Sequence, residues 1–504
     1  MHSHSVAVVG AGYVGLTTAA CLASLGHRVV CGDSDREKLA ALRRAEVGIL
    51  EPGLAELVAE GVESGRLVFV EGAAAAVADG GSGGTEAGGA ADGRTESGRT
   101  EAVFLCLPTP MGAGGTADLS AVFAVAAEIR DVLPRGCAVV NKSTVPVGSA
   151  ARVSEALGRA DCPVVSNPEF LREGSAVADF LHPDRIVVGS ADRGAAERIA
   201  ALYAPLDAPV LLTDAASAEL VKYAANCFLA TKLSYVNAVA ELCERVGADI
   251  RDVADGMGRD PRIGSDFLAP GPGWGGSCLP KDTRALQRVA AAADFDFGLL
   301  DAVVAGNERQ PARVADRVAG LCGVRDPAEL TGLRLGLLGL TFKAGTNDLR
   351  DSPALAVARE LTGRGAELAA YDPALTPGAP GAPGAADAPV PAQVAVLDDA
   401  YAAAKGADAL LVLTEWPQFR ELDWARMAAA LHGRVVLDTR NHLEPAAVSR
   451  AGLAWHGFGR PAAYPEGADG TGGSDVTGRE LPGHTDDSAA GGGPSTDQRP
   501  TIER

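Results

Sequence analysis

Two stretches of the chain, residues 1 to about 205 and about 331 to 460, alternate short β-branched runs with alanine-rich helical stretches. In the first stretch the runs are SVAVVG, HRVVCGD, AVFLCLP, CAVVNKS and DRIVVG; in the second they are LRLGLLGL, AELAAYD, ADALLVLT and RVVLDT. Runs of this kind, each separated by a helix-length interval, imply βαβ units and a parallel sheet covered by helices. The residues between, about 206 to 320, carry helical patterning instead. At 504 residues the chain exceeds a single core, since domains of ~100–200 residues predict two to four. The expected fold is therefore α/β, with two Rossmann-like, doubly wound domains (1–205 and 321–462) joined by a long central helix inside 206–320.

The first strand run leads into Gly10-Ala11-Gly12-Tyr13-Val14-Gly15, and a helical stretch, LTTAACLASLG, follows. A glycine fingerprint between strand and helix is a dinucleotide site in its proper context. Gly10 permits the tight turn, Gly12 lets the backbone approach a pyrophosphate, and Gly15 lets helix and strand pack closely. Asp33 ends the next strand, where a carboxylate accepts hydrogen bonds from ribose hydroxyls and repels a 2′-phosphate. NAD is expected over NADP.

Three segments lack the apolar anchors that repay ordering entropy. They are 79–100 (DGGSGGTEAGGAADGRTESGRT), 377–392 (PGAPGAPGAADAPVPA) and the tail, 463–504. The formal net charge of −20 disfavours nucleic acid and anionic membrane as partners. No apolar run reaches the ~20 residues of a membrane span, and no signal-peptide pattern opens the chain. The nine cysteines are scattered without a CxxC pair, as in a reduced, cytoplasmic enzyme. No metal-ligand spacing stands out.

One cysteine departs from the small buried hydrophobe that cysteine usually is. Cys278 lies in PGWGGSCLPKD (272–282), where glycines and prolines imply irregular backbone close to a ligand. Lys281 follows closely, and a nearby cation lowers a thiol pKa. Upstream, residues 217–247 have the apolar spacing of a helix of many turns. Lys222 and Asn226, four apart, share one face of it. Such a pair can donate to an oxyanion or be a solvated polar stripe; spacing alone leaves both open.

With these residues in view, the chain resembles the UDP-glucose/GDP-mannose dehydrogenase family. The matching pieces are GAGYVG, EPGLAEL (51–57), LPTP (107–110), KSTVPVG (142–148), NPEFLREGSAVADFLHPDRIVVG (167–189), ELVKYAANCFLATKLSYVNAVAELCERVGADI (219–250), GWGGSCLPKD (273–282) and GLTFKAGTNDLRDSPA (339–354). They occur in the family's order across nearly all of residues 5–460. The resemblance implies an NAD-binding domain, a central dimerising helix and a UDP-binding domain. It implies two successive oxidations of a nucleotide sugar in one site, with Cys278 forming a thiohemiacetal and then a thioester that water hydrolyses. By the same resemblance Lys222 and Asn226 stabilise oxyanions, Asp282 assists proton transfer, and Glu169 acts with Thr144 on a water. Lys38, Thr109, Thr144, Glu173, Lys281 and Arg350 match the family's NAD contacts. Glu169, Phe170, Leu171, Arg172, Lys222, Asn226, Phe267, Leu268, Ala269, Pro270, Gly271, Gly275 and Lys343 match its sugar-nucleotide contacts. Arg262 matches an arginine that reaches the partner subunit's substrate, and Arg440 a contact to UDP.

HPDRIVVG, with Asp184 and Arg185, resembles the branch acting on UDP-glucose more than those acting on GDP-mannose or UDP-N-acetylmannosamine. A single-oxidation dehydrogenase with a structural Cys278, or a non-catalytic NAD sensor or scaffold, are the remaining readings. The intact Cys, Lys and Glu set argues against the last.

Overall fold

A computed structural model of the chain describes residues 3–79, 99–112, 115–376 and 390–467. Most of the 79–100 expansion, most of the 377–392 loop and most of the tail lie outside the described residues.

The first sheet has eight strands: β1 Ser5–Val9, β2 Arg28–Asp33, β3 Leu67–Glu71, β4 Ala102–Leu105, β5 Ala138–Asn141, β6 Val164–Ser166, β7 Ile186–Gly189 and β8 Val210–Thr213. Their order is β3-β2-β1-β4-β5-β6-β7-β8, and every pair is parallel except β6 with β7. The last strand extends this sheet past residue 205, where the sequence reading ends the first domain. The second sheet holds β9 Arg334–Leu338, β10 Glu367–Tyr371, β11 Val394–Val396, β12 Ala409–Val412, β13 Val435–Asp438 and β14 Ala454–Gly457, all parallel, in the order β11-β10-β9-β12-β13-β14. Numbered from its own start, that is 3-2-1-4-5-6, the order of the first six strands of the other sheet and of a dinucleotide-binding fold.

The inner strands of both sheets are buried on both faces, which is why they read as continuous apolar runs, whereas the edge strands β3, β8 and β11 are partly exposed. In β1, Val6 and Val8 join one core and Ala7 and Val9 the other, as a period of two requires. In the second sheet Leu335 and Leu337 face one layer while Leu338, Leu410 and Val412 face the opposite one.

Between the sheets runs a helix of 32 residues, Ala215–Val246, about 48 Å long at 1.5 Å per residue. Asp214 starts it by accepting the Ser217 N–H at 2.8 Å, and Gly247 ends it in the left-handed conformation at φ 77°. Tyr223 and Cys227 pack on Ala285, Leu286 and Leu300, and Ala230 packs on Trp274, Val303 and Val304. The helix thus carries the helices Leu279–Ala292 and Gly298–Glu308 on its side and positions the loop that precedes the first of them. Among the described residues no helix is long and apolar enough to cross a membrane, and no cluster of His, Cys, Asp or Glu could hold a metal ion.

Candidate active site

The fingerprint turn takes the form its sequence requires. Gly10 has φ 100°, and a Cβ there would meet the Cys106 carbonyl oxygen at 2.3 Å; a Cβ on Gly15 would meet the Gly10 carbonyl at 1.8 Å. A Cβ on Gly12 would meet nothing within 4 Å. Gly10 and Gly15 therefore answer to the fold, whereas Gly12 borders open space at the start of the helix Tyr13–Ser24. Asp33 closes the turn by accepting the Ala11 N–H at 2.7 Å and also takes Lys38 Nζ at 3.2 Å. Burial works against the Asp33 charge, but the backbone N–H donors and Lys38 outweigh it and hold the carboxyl below its usual range. A glycine cradle open on one side, at a helix N-terminus and next to an ionised carboxylate, fits the diphosphate and ribose of NAD. Thr109 Oγ1 donates to the Thr144 carbonyl at 3.0 Å, joining the loops after β4 and β5. Glu219, on the long helix, accepts the N–H groups of Gly148 and Ala150 and the Ser166 hydroxyl, anchoring the second of those loops.

A cavity of about 590 Å³ opens beside the long helix. Lys222, Asn226, Glu169, Phe170, Leu171, Arg172, Glu173 and Cys278 all line it. The NPEF turn brings Glu169 to Lys222: Nζ and Oε1 are 2.9 Å apart, both side chains nearly inaccessible, and the Leu171 N–H donates to the other carboxylate oxygen at 2.6 Å. Burial opposes both charges, yet each stabilises the other, so Glu169 lies below and Lys222 above its ordinary pKa. Asn226 Nδ2 donates to Asp282 Oδ2, and Lys281 Nζ to Asp282 Oδ1, each at 2.6 Å.

The thiol loop is bolted to its surroundings. The Gly271 N–H donates to Asn237, Trp274 Nε1 to Ser234 Oγ, and the Trp274 N–H to Asn307, each at 2.8 Å. Gly275 packs so tightly that a Cβ would meet the Asp351 carbonyl at 1.9 Å. The backbone of 271–278 is irregular, and Cys278 ends it as the N-cap of the helix Leu279–Ala292. Burial pushes its thiol pKa up, and Lys222 is the cation that counteracts this. That corrects the expectation for Lys281, whose ammonium is spent on Asp282.

Further corrections concern placement. Asp282 is fully buried and does not line the cavity, so it reaches the site through Asn226. Phe267, Ala269 and Gly271 line the cavity, whereas Leu268 and Pro270 are buried and do not. Arg262 stays outside it; its exposed guanidinium pairs with Asp260 at 2.5 Å. Thr144 is likewise not a lining residue. Lys343 and Arg440 bring cationic groups from the second sheet's domain to the cavity wall. Arg440 is held by the carbonyls of Leu413 and Phe342, and Arg185 stacks 3.6 Å over the Phe170 ring. Glu173 and Arg350, on the two α/β domains, meet at 3.4 Å.

Lys142 is a lining residue to which the sequence reading assigned no role. It is buried, donates to Asn167 Oδ1 at 3.1 Å and Tyr203 Oη at 3.4 Å, and burial pulls its pKa down to about 8. The available signal was a lysine directly after the wholly buried strand AVVN.

Three models of the UDP-glucose/GDP-mannose dehydrogenase family match the chain: the NAD binding domain at 4–80 and 87–207, the central domain at 216–309 and the UDP binding domain at 336–445. Among curated relatives, the UDP-glucose 6-dehydrogenase of Pseudomonas aeruginosa is 43% identical over 467 residues, covering 90% of this chain and 97% of that one. UDP-glucose 6-dehydrogenase TuaD of Bacillus subtilis is 41% identical over 462 residues, covering 91% and 93%. Of solved structures, a UDP-glucose dehydrogenase from Pyrobaculum islandicum superposes with a TM-score of 0.76 at 36% identity, covering 91% and 98%. A UDP-D-ManNAc dehydrogenase from Pyrococcus horikoshii gives 0.74 at 26%, covering 90% and 99%.

Proposed function

This chain belongs to the UDP-glucose/GDP-mannose dehydrogenase family, and from that premise we propose that it oxidises UDP-glucose to UDP-glucuronate with two NAD and one water. The observation that carries the reading is the convergence of Cys278, the Lys222–Glu169 pair and Asn226 on one cavity that Lys343 and Arg440 also line. A thiol alone fits many chemistries. A thiol beside an oxyanion-stabilising lysine, in a cleft with cationic groups for a diphosphate, fits the oxidation of a nucleotide sugar past the aldehyde.

Gly10, Gly12 and Gly15 would hold NAD at the helix N-terminus, Asp33 and Lys38 its ribose, and Thr109, Thr144, Glu173, Lys281 and Arg350 its remaining groups; bound there, it supplies the hydride acceptor. Lys343 and Arg440 hold the diphosphate by charge. Lys222 and Asn226 steady the C6 oxygen as it loses its proton, and Asp282 orients both Asn226 and Lys281. The aldehyde has no second hydride to give until Cys278 adds to it, because only the tetrahedral thiohemiacetal carries a C–H next to an alkoxide. Loss of that hydride leaves a thioester on Cys278. Glu169 then takes a proton from the attacking water, and the product carboxylate leaves.

The long helix supports a homodimer. Leu220, Phe228, Tyr235, Leu242 and Val246 are all exposed on it, and Phe228, Tyr235 and Leu242 follow at intervals of seven. A surface stripe with that period suits a second helix. Exposed Arg262 would then meet the neighbouring subunit's diphosphate. A cytoplasmic location suits the nine cysteines, none of which is in a disulfide.

The test is a count: purified protein, NAD and a panel of nucleotide sugars, with NADH formed per sugar consumed. Two NADH per UDP-glucose are expected. One per sugar would reduce Cys278 to a structural residue, and faster turnover of GDP-mannose or UDP-N-acetylmannosamine would reassign the substrate.

A further inference from the structure

We propose that Ser277 and Glu173 form a relay that removes the thiol proton from Cys278 as its sulfur attacks the aldehyde. This rests on Cys278 being the nucleophile. Ser277 Oγ donates to Glu173 Oε1 at 2.9 Å and stands 3.5 Å from Cys278 Sγ. A hydroxyl has one proton. With that proton committed to the carboxylate, the lone pairs of Oγ are free for the S–H, and the path runs from sulfur through Ser277 to Glu173.

The thiol needs such a path, because burial raises its pKa above the ordinary thiol value despite the opposing pull of Lys222 and Ser277. Each of the other nearby carboxylates already has a lysine partner. Glu169 is ion-paired with Lys222 and hydrogen-bonded to the Leu171 N–H. Asp282 is held between Asn226 and Lys281. Glu173 differs: burial and the adjacent Asp348 push its pKa up, so it accepts a proton more readily than an ordinary carboxylate. The groups facing it are Ser277 from the thiol loop, Tyr13 from the first α/β domain and, from the second, Thr346 Oγ1 at 3.4 Å, Arg350 at 3.4 Å, Lys343 and Asp348. Arg350 is shared with Asp348 at 2.6 Å, so it does not neutralise Glu173 alone.

In the step itself the C–S bond forms and the carbonyl π pair becomes an alkoxide beside Lys222 and Asn226. The S–H proton passes to Ser277 Oγ, whose own proton passes to Glu173. When water cleaves the thioester, the same path returns the proton to the departing thiolate. Ser277 touches the reacting sulfur; Glu173 acts through it.

Iodoacetamide alkylation of Cys278 in the full chain, without sugar or NAD, tests the relay, with Cys278→Ser as the unlabelled control and thermal melting as the check on folding. Ser277→Ala and Glu173→Gln should each react roughly tenfold more slowly at pH 7. The double variant should be no slower than either single one, and Ser277→Thr, which keeps the hydroxyl, should react like wild type. Removal of a negative charge alone would speed alkylation in Glu173→Gln, so the sign separates relay from field. A wild-type rate in either single variant overturns the relay. Because no sugar is present, that result leaves the NADH count, and the reaction it reports, untouched.

Discussion

Lys222 Nζ lies 2.9 Å from Glu169 Oε1, with neither side chain open to solvent, and this ion pair joins the long helix to the turn after β6. A buried pair contributes little net stability against an apolar replacement, but losing one partner strands the other charge. Lys222→Met should therefore cost about 3–5 kcal/mol in denaturant unfolding, in addition to lost turnover. Lys222→Met with Glu169→Leu should recover much of that stability and none of the activity. Equal stability of the single and double variants would show that Glu169 escapes to solvent or takes up a proton at little cost.

Lys142 offers a pH signature. Its pKa is pulled by burial to about 8, below the ~10.4 of an unfolded lysine. Between those values the unfolded chain binds more protons than the folded one, so this group makes stability rise with pH. Below about 8 it is protonated in both states, and the cost of burying the charge is fully present. The melting temperature of wild type relative to Lys142→Met should thus increase from pH 7.5 to 9.5. A flat difference would mean that Lys142 keeps its charge throughout.

Asp33 serves the turn as well as the ribose, since it accepts the Ala11 and Asp35 N–H groups at 2.7 and 2.9 Å. Asp33→Ala should weaken NAD binding and narrow the preference over NADP together. Asp33→Asn retains an acceptor for the turn and should narrow the preference with a smaller rise in the KM for NAD. The ratio of kcat/KM for the two cofactors reads this directly, and an unchanged ratio would place the ribose elsewhere.

Arg262 is exposed and, among the described residues, its guanidinium pairs with the near neighbour Asp260, while Phe228, Tyr235 and Leu242 leave an exposed stripe for the proposed second helix. Arg262→Ala should raise the KM for UDP-glucose far more than that for NAD. Mixing it with Cys278→Ser should restore some activity, because a mixed dimer holds one site with both native residues. Heterodimers that form and remain inactive would confine Arg262 to its own subunit.

What the sequence determined by itself is what depends on neighbours along the chain. Short β-branched runs separated by helix-length intervals implied both sheets, which are parallel except where β6 meets β7. Gly10, Gly12 and Gly15 marked the turn, and the helical spacing of 217–247 marked the long helix, which runs from Ala215 to Val246. The family's motifs supplied the residues of the cavity, but not their partners. Only the tertiary structure decided that the cation acting on Cys278 is Lys222, 56 residues away, while adjacent-seeming Lys281 is spent on Asp282. It also turned Leu268 and Pro270 away from the cavity, placed Lys142 in its wall, and brought Ser277 to Glu173 across 104 residues. The physical reason is that hydrogen bonds and ion pairs act over about 3 Å of space. Which groups come that close is set by how the long helix packs against the sheets, and no local pattern encodes that distance.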